Sequence, residues 1–310
     1  MSPPAPPSEP ETKPSEPDPK RDSWSPQQYL RFDNERTRPV HDLISQIIPL
    51  LNPPLSSSQT ADRGDRPLRI YDLGCGPGNS TRALLSHFPS ARVTGIDSSS
   101  AMLAKARQDF TGTNTVDFAL GDVSTFTPDS PPDLLFSNAV FHWLRTPTRL
   151  PTLTRLLSAL PPGGVLAFQV PDNYHEPSHS LMRSTALLPH QPWSPYFASS
   201  SIGNLISPTR PDLDPIEPPS LIYSSLIPYC SSVNVWRTEY FHVLGGKREI
   251  VEWVKGTGLV PFLERLPEKG GVREAFLKRY EDEVGKVYEE AADGRCLLGY
   301  PRLFVVAVRK

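Results

Sequence analysis

Three aspartates and a glycine turn are the residues whose types and spacing suit chemistry. Asp72 sits in a short apolar run, residues 68–73, and Gly74-Cys75-Gly76-Pro77-Gly78-Asn79-Ser80 follows at once. Glycines permit positive φ and put no Cβ in a ligand's way. A helix starting behind the turn offers N–H groups to polar oxygens. The G-x-G-x-G spacing departs from the G-x-G-x-x-G of dinucleotide folds, and Asn79 stands where the last glycine would be. No Lys-Ser/Thr pair follows, which excludes a P-loop. A carboxylate such as Asp72 repels a phosphate and suits an ammonium or sulfonium group. Asp97 ends the next apolar run, where it can accept both hydroxyls of a ribose. Asp122 is spaced to take an adenine amino group while Val123 offers a backbone N–H. One acid at a strand end is most often a cap; three in one sheet point to a nucleoside site. Ser98 and Asn138 join Asp72, Gly74, Gly76 and Asn79 as candidate contacts.

Such residues need elements that end in one crevice. Apolar runs at 68–73, 92–97, 115–120, 133–136 and 164–170 read as strands, with helices over 80–88, 99–110 and 150–160. Alternating strands and helices predict a parallel sheet with right-handed crossovers. Ligands bind such sheets at the carboxyl ends of the strands, where all three acids fall. The back half abandons the alternation. Residues 234–242 and 301–308 read as strands, and 247–255 and 271–291 as helices. The last strand is expected antiparallel to the one before it. On a regular strand Val235, Arg237, Glu239 and Phe241 face one way, and Trp236, Thr238, Tyr240 and His242 the other. Ahead of the sheet, Leu43, Ile44, Ile47 and Ile48 form one apolar helix face. Arg36 and Arg38 on this segment are either a solvated helix end or part of a cover over the cofactor pocket. In the second reading Tyr29 and Arg36 are cofactor contacts.

The 310 residues suffice for one large domain or two small ones. A formal net charge of −2 gives no electrostatic capture of nucleic acid. The 3 cysteines lack metal-ligand spacing and fit a reducing, cytoplasmic compartment. No metal is expected. No apolar run reaches the roughly 18–20 residues of a membrane span, and no secretory signal is visible. The 37 prolines cluster, and the clusters mark boundaries. The tail 1–22 is Pro, Ser, Glu, Asp and Lys, which predicts disorder. Its Glu9, Glu11, Glu16 and Asp18 exclude a mitochondrial transit peptide. Polar stretches at 52–65 and 207–220 read as a loop and an insertion. One domain then spans 23–310: a helical cap (23–51), a cofactor core (68–170), a substrate-side insertion (171–232) and C-terminal strands and helices (233–310).

Through its G-x-G-x-G turn and Asp72 at the end of the strand before it, the chain resembles the class I methyltransferases that bind S-adenosylmethionine. A narrower resemblance, to the trans-aconitate methyltransferase family, rests on motifs from about residue 24 to the C-terminus. They are Tyr29-Leu30-Arg31-Phe32, Glu35-Arg36-Thr37-Arg38-Pro39, the 72–81 turn, Thr94-Gly95-Ile96-Asp97-Ser98-Ser99, Trp143-Leu144 and Pro171-Asp172-Asn173. The back half adds Trp236-Arg237-Thr238 with Tyr240 and His242, Trp253-Val254, Thr257-Gly258-Leu259 and Tyr300-Pro301-Arg302-Leu303-Phe304. His142 and Val260 depart from the pattern, which has another polar residue at those positions. The tail, the 52–65 loop and the 207–220 insertion look extra.

The resemblance implies an α/β, Rossmann-like fold: a mostly parallel sheet with an antiparallel C-terminal strand and helices on both faces. It implies methyl transfer from S-adenosylmethionine to a carboxylate of trans-aconitate or a related small polycarboxylic acid, giving a monomethyl ester. A carboxylate with pKa near ~4 is already ionised at neutral pH, so no general base is expected. Catalysis is then alignment and exclusion of water. A tricarboxylate calls for arginine, whose planar fork meets a carboxylate bidentately. The candidates are Arg38, Arg237 and Arg302, with Tyr240 and His242 as donors and His142 and Trp143 as wall. Arg237 faces away from Tyr240 and His242 on a regular strand, so their convergence needs a bulge. Two other readings stay open. One is a class I methyltransferase acting on 3-isopropylmalate or on a hydroxyl or amine, the last two needing a base. The other is a non-catalytic cofactor-binding regulator. No obligate protein partner is expected.

Overall fold

Central strands of a parallel sheet are covered on both faces and read as unbroken apolar runs, whereas edge strands do not. In the computed structural model β1 (Arg69–Leu73), β4 (Leu134–Asn138) and β5 (Val165–Pro171) are almost wholly buried, and β3 (Val116–Leu120) is largely exposed. The described residues are 33–51, 66–207 and 209–310; the tail 1–22, Tyr29 and the 52–65 loop lie outside them. With β2 (Arg92–Asp97), β6 (Cys230–Leu244) and β7 (Cys296–Arg309) the strands form one seven-stranded sheet, ordered β3-β2-β1-β4-β5-β7-β6. The first five run parallel, and β7 lies antiparallel between β5 and β6. Strand order switches between β1 and β4. Register brings Leu73 beside Ile96 and Ser137, so Asp97 and Asn138 each project one residue beyond β1.

Helices cover both faces. On one side α1 (Asp33–Leu51) buries Val40, Leu43, Ile44, Ile47 and Leu51 with Ile70, Phe136 and Phe304, beside α2 (Asn79–His87). Burying each such side chain contributes roughly 1.5–3 kcal/mol. Five of them outweigh two interior prolines, Pro39 and Pro49, at about 3 kcal/mol each. After β2 comes α3 (Ser100–Asp109), capped by Ser99, whose Oγ accepts from Met102 N. On the other face α4 (Thr146–Ser158) packs Leu153, Leu156 and Leu157 on the sheet. It starts four residues before the expected 150, because Asp214 accepts from Thr146 N at 2.7 Å. That cap comes from the 207–220 insertion, a tertiary contact with no local signal.

The region 171–232 holds α5 (Pro177–Ala186), α6 (Ser194–Phe197) and α7 (Pro219–Leu226), for which the sequence reading assigned no helices. β5 stops pairing at Pro171, opposite Arg302, but β6 and β7 stay paired to Leu244 and Cys296. This two-stranded ribbon rises past the carboxyl edge of the parallel strands. Its inner side chains, Leu244, Leu298 and Tyr300, join a cluster with α5, α8 (Lys247–Lys255), α9 (Val260–Leu263) and α10 (Val272–Val284). The helix expected over 271–291 is shorter, ending at Gly285. Among the described residues no helix is long and apolar enough to cross a membrane, and no group of three metal-ligating side chains occurs.

Candidate active site

The glycine turn after β1 needs its glycines for separate reasons. Gly74 (φ 73°) lies against Val140: a Cβ there would fall 2.1 Å from a Val140 methyl. Gly76 (φ 55°) would meet nothing within 4 Å, because it borders the cavity. The Asp97 carboxylate holds this turn. One oxygen accepts from Gly76 N at 2.8 Å and the other from Ser99 N at 2.9 Å. Each keeps a further lone pair for a ligand hydroxyl. Burial raises the Asp97 pKa against those stabilising bonds.

Asp72 does not reach the cavity wall. It is wholly buried behind the turn, accepting from Ser80 Oγ at 2.7 Å and Thr81 Oγ1 at 2.6 Å. Burial pushes its pKa up to about 6. It ties the first turn of α2 to β1, because a strand-end side chain points into the sheet's own packing as readily as outward. Asn79, the first residue of α2, is likewise absent from the wall.

The cavity encloses about 360 Å³, within the usual range of small-molecule sites. One end is lined by Asp97, Ser98, Asp122 and Val123, from β2 and the loop after β3. Asp122 also serves as a turn cap, accepting from Ser124 N at 2.9 Å and Ser124 Oγ at 2.7 Å. The other end is lined by Arg36, His142, Trp143, Trp253, Tyr300 and Arg302. Four strand spacings of ~4.8 Å separate β2 from β7, so the strands that carry Asp97 and Arg302 lie roughly 19 Å apart in the sheet. Gly74, Gly76 and Asn138 lie between them, at the switch point.

Both guanidiniums on the wall are buried. Arg36 lies 5.3 Å over the Trp253 ring and donates to Trp253 O at 3.4 Å. Arg302 donates to Gln169 Oε1 at 3.0 Å, its guanidinium carbon 5.3 Å from the Tyr300 ring. The other arginine candidates are elsewhere. Arg38 is exposed beside the Tyr240 ring, at 5.4 Å. Arg237 points to solvent from the outer face of β6 and pairs with Asp172. β6 stays regular around it, its one bulge falling at Cys230/Ser232, so Arg237 does not converge with Tyr240 and His242.

Tyr240 and His242 face inward yet stop short of the cavity. Tyr240 donates to Asp42 Oδ2 at 2.6 Å, and burial with that bond pushes its pKa up. His242 stacks 4.3 Å from Trp253, with the Tyr300 ring tilted against it at 5.8 Å. Burial, then the charges of Arg302, Arg36 and Arg38, pushes its pKa down to about 4. Both back the aromatic wall instead of forming it. His142 does line the cavity, and burial holds its pKa well below the ordinary histidine value. The sequence reading did not select Trp253, Tyr300, Thr257 or Gln169 as site residues. All but Gln169 lie inside motifs quoted above: Trp253 in the last turn of α8, Thr257 just past it and Tyr300 within β7.

An acid-lined cavity end, a glycine turn at the switch point and a 3-2-1-4-5-7-6 sheet define an S-adenosylmethionine-dependent methyltransferase of class I. A family model described as a methyltransferase domain matches residues 70–164. The trans-aconitate 2-methyltransferase of Rhodopseudomonas palustris strain BisB18 is 42% identical over 92% of this chain and 99% of its own length. Those of Agrobacterium fabrum and Methylobacterium nodulans are 43% and 44% identical, over 93% and 92% of this chain and 100% and 98% of theirs. The chain belongs to the trans-aconitate 2-methyltransferase family.

Proposed function

We propose that this enzyme esterifies one carboxylate of trans-aconitate, or of a closely related small polycarboxylic acid. The observation that carries the reading is the pair of buried guanidiniums, Arg36 and Arg302, on the wall remote from Asp97. Buried cations on a cavity wall favour anions, and arginine meets carboxylates bidentately. S-adenosylmethionine supplies the methyl group when bound. Asp97 and Ser98 hold the ribose, Asp122 and Val123 the adenine, and the Gly74–Gly76 backbone the methionyl part, whose carboxylate Arg36 meets. Arg302 grips a non-reacting acceptor carboxylate, and Trp143 with Trp253 keeps water away from the reacting oxygen.

No side chain has to take a proton. The acceptor is ionised near neutral pH, and the histidines at this end are poor bases there. That argues against a hydroxyl or amine acceptor. The three cysteines are all unpaired and buried, which supports a reducing, cytoplasmic setting. The test is incubation with methyl-labelled S-adenosylmethionine and a panel of small polycarboxylic acids, with products identified by mass spectrometry. A monomethyl ester of trans-aconitate is expected. Label on a hydroxyl or amine, or no label on any acid, overturns the reading.

A further inference from the structure

Gln169 is fully buried in β5 and does not line the cavity, yet it touches two residues that do. Arg302 Nη1 donates to its Oε1 at 3.0 Å, and its Nε2 donates to Asn138 Oδ1. Its backbone carbonyl also accepts from Ala139 N at 2.9 Å, where Ala139 holds a left-handed φ of 57°. Gln169 thus pins both residues that leave β4.

The direction of this chain follows from chemistry. A guanidinium only donates, so the Gln169 carbonyl must face Arg302. Its NH₂ must then face Asn138, which turns the Asn138 oxygen toward Gln169 and the Asn138 NH₂ away from it. The Asn138 NH₂ is what remains for the cavity. An N–H pointing inward does not suit the ammonium of the cofactor's methionyl part. It suits an anionic oxygen.

We propose that Gln169 is a positioning residue that locks Asn138 as a hydrogen-bond donor to a ligand carboxylate, beside the Arg302 guanidinium. The carboxylate belongs to the acceptor or to the methionyl end of the cofactor. The acceptor assignment rests on the function proposed above; the orientation of Asn138 does not. Isosteric loss of both Gln169 bonds, Gln169→Met, and Asn138→Asp, which replaces the N–H by a charged oxygen, test it.

Affinity for S-adenosylhomocysteine, and for trans-aconitate in its presence, is measured by calorimetry on the full chain, with Tm as control. A tenfold or larger loss confined to trans-aconitate assigns the acceptor's carboxylate. The same loss confined to S-adenosylhomocysteine assigns the methionyl carboxylate. Unchanged affinity for both, or equal losses with a lowered Tm, overturns the proposal. Should the wild type not bind trans-aconitate, the function proposed above fails while the S-adenosylhomocysteine arm still reads Asn138. The hydrogen-bond chain is read without any ligand from the Gln169 carboxamide protons in ¹⁵N-labelled protein. They should exchange slowly in the wild type and faster in Asn138→Ala; fast exchange in the wild type also overturns the proposal.

Discussion

At β2 and β3 the cavity wall is made by residues at a strand end or up to three positions past it: Asp97, Ser98, Asp122 and Val123. At the opposite end it is made by Arg36, Trp253 and Arg302, from α1, α8 and β7, elements far apart in the chain. The first wall is held by short local bonds, such as Ser99 N to Asp97 and Ser124 N to Asp122. The second is held by stacking across distant segments, with His242 on Trp253 and Arg36 over the same ring. A wall built from strand ends is shared by any chain that folds this sheet. A wall built from packing depends on how distant segments meet, and on the function proposed above Arg302 in that wall holds the acceptor.

The sharpest way to break that division is Arg302→Met. Removing a buried charge that a ligand meets costs about 2–5 kcal/mol, so kcat/KM for trans-aconitate should fall about thirtyfold or more. S-adenosylhomocysteine affinity should stay within about threefold by the estimate that distant sites are independent. Equal losses in both would mean the two ends are one unit. Asp97→Asn is the converse. Cofactor affinity should weaken by about 1.5–3 kcal/mol, roughly tenfold to a hundredfold, with acceptor KM at saturating cofactor unchanged.

Stability against pH separates the carboxyl buried behind the turn from the buried histidines. Burial lifts Asp72 to about 6, so the folded chain holds that proton more tightly than the unfolded chain. Its contribution is therefore present at low pH and lost as pH rises from ~4 through about 6. The buried histidines act oppositely. His242 is pushed down to about 4 and His179 to about 3, so their contribution is present above ~6.5 and lost on acidification. Asp72→Asn removes a contribution that is lost as pH rises, so the change in Tm from pH 4 to 7 should be more positive in that variant than in the wild type. A less positive change in that variant would contradict the assigned burial effect.

Turnover should be nearly flat from about pH 7 to 9, since no group needed for transfer titrates there. A clear ionisation limb would point to a general base and a different acceptor. The smallest effect belongs to Arg237→Gln. Its exposed pair with Asp172 is the kind that contributes about 0–1 kcal/mol, and acceptor KM should change by less than about twofold.

Periodicity placed the first five strands within a residue or two, because each is a short apolar run bounded by turn residues. The same local logic put Asp97, Ser98, Asp122, Val123 and Asn138 where a ligand can reach them, since a strand end in a parallel sheet opens on one crevice. Asp72 shows the limit: type and position matched, but its carboxylate turned inward to Ser80 and Thr81. The start of α4 also escaped, because its cap arrives from Asp214 in a distant loop.

By itself, then, the order of residues determined the first five strands, the glycine turn and the acid-lined end, since these show as short apolar runs bounded by turn residues, with the acids at or just past their ends. Only the tertiary structure decided which arginines face the cavity. Arg36 and Arg302 do so, while Arg38 and Arg237 do not, because that choice depends on how α1, α8 and the β6–β7 ribbon pack. No local pattern records which way a long charged side chain leaves such a junction.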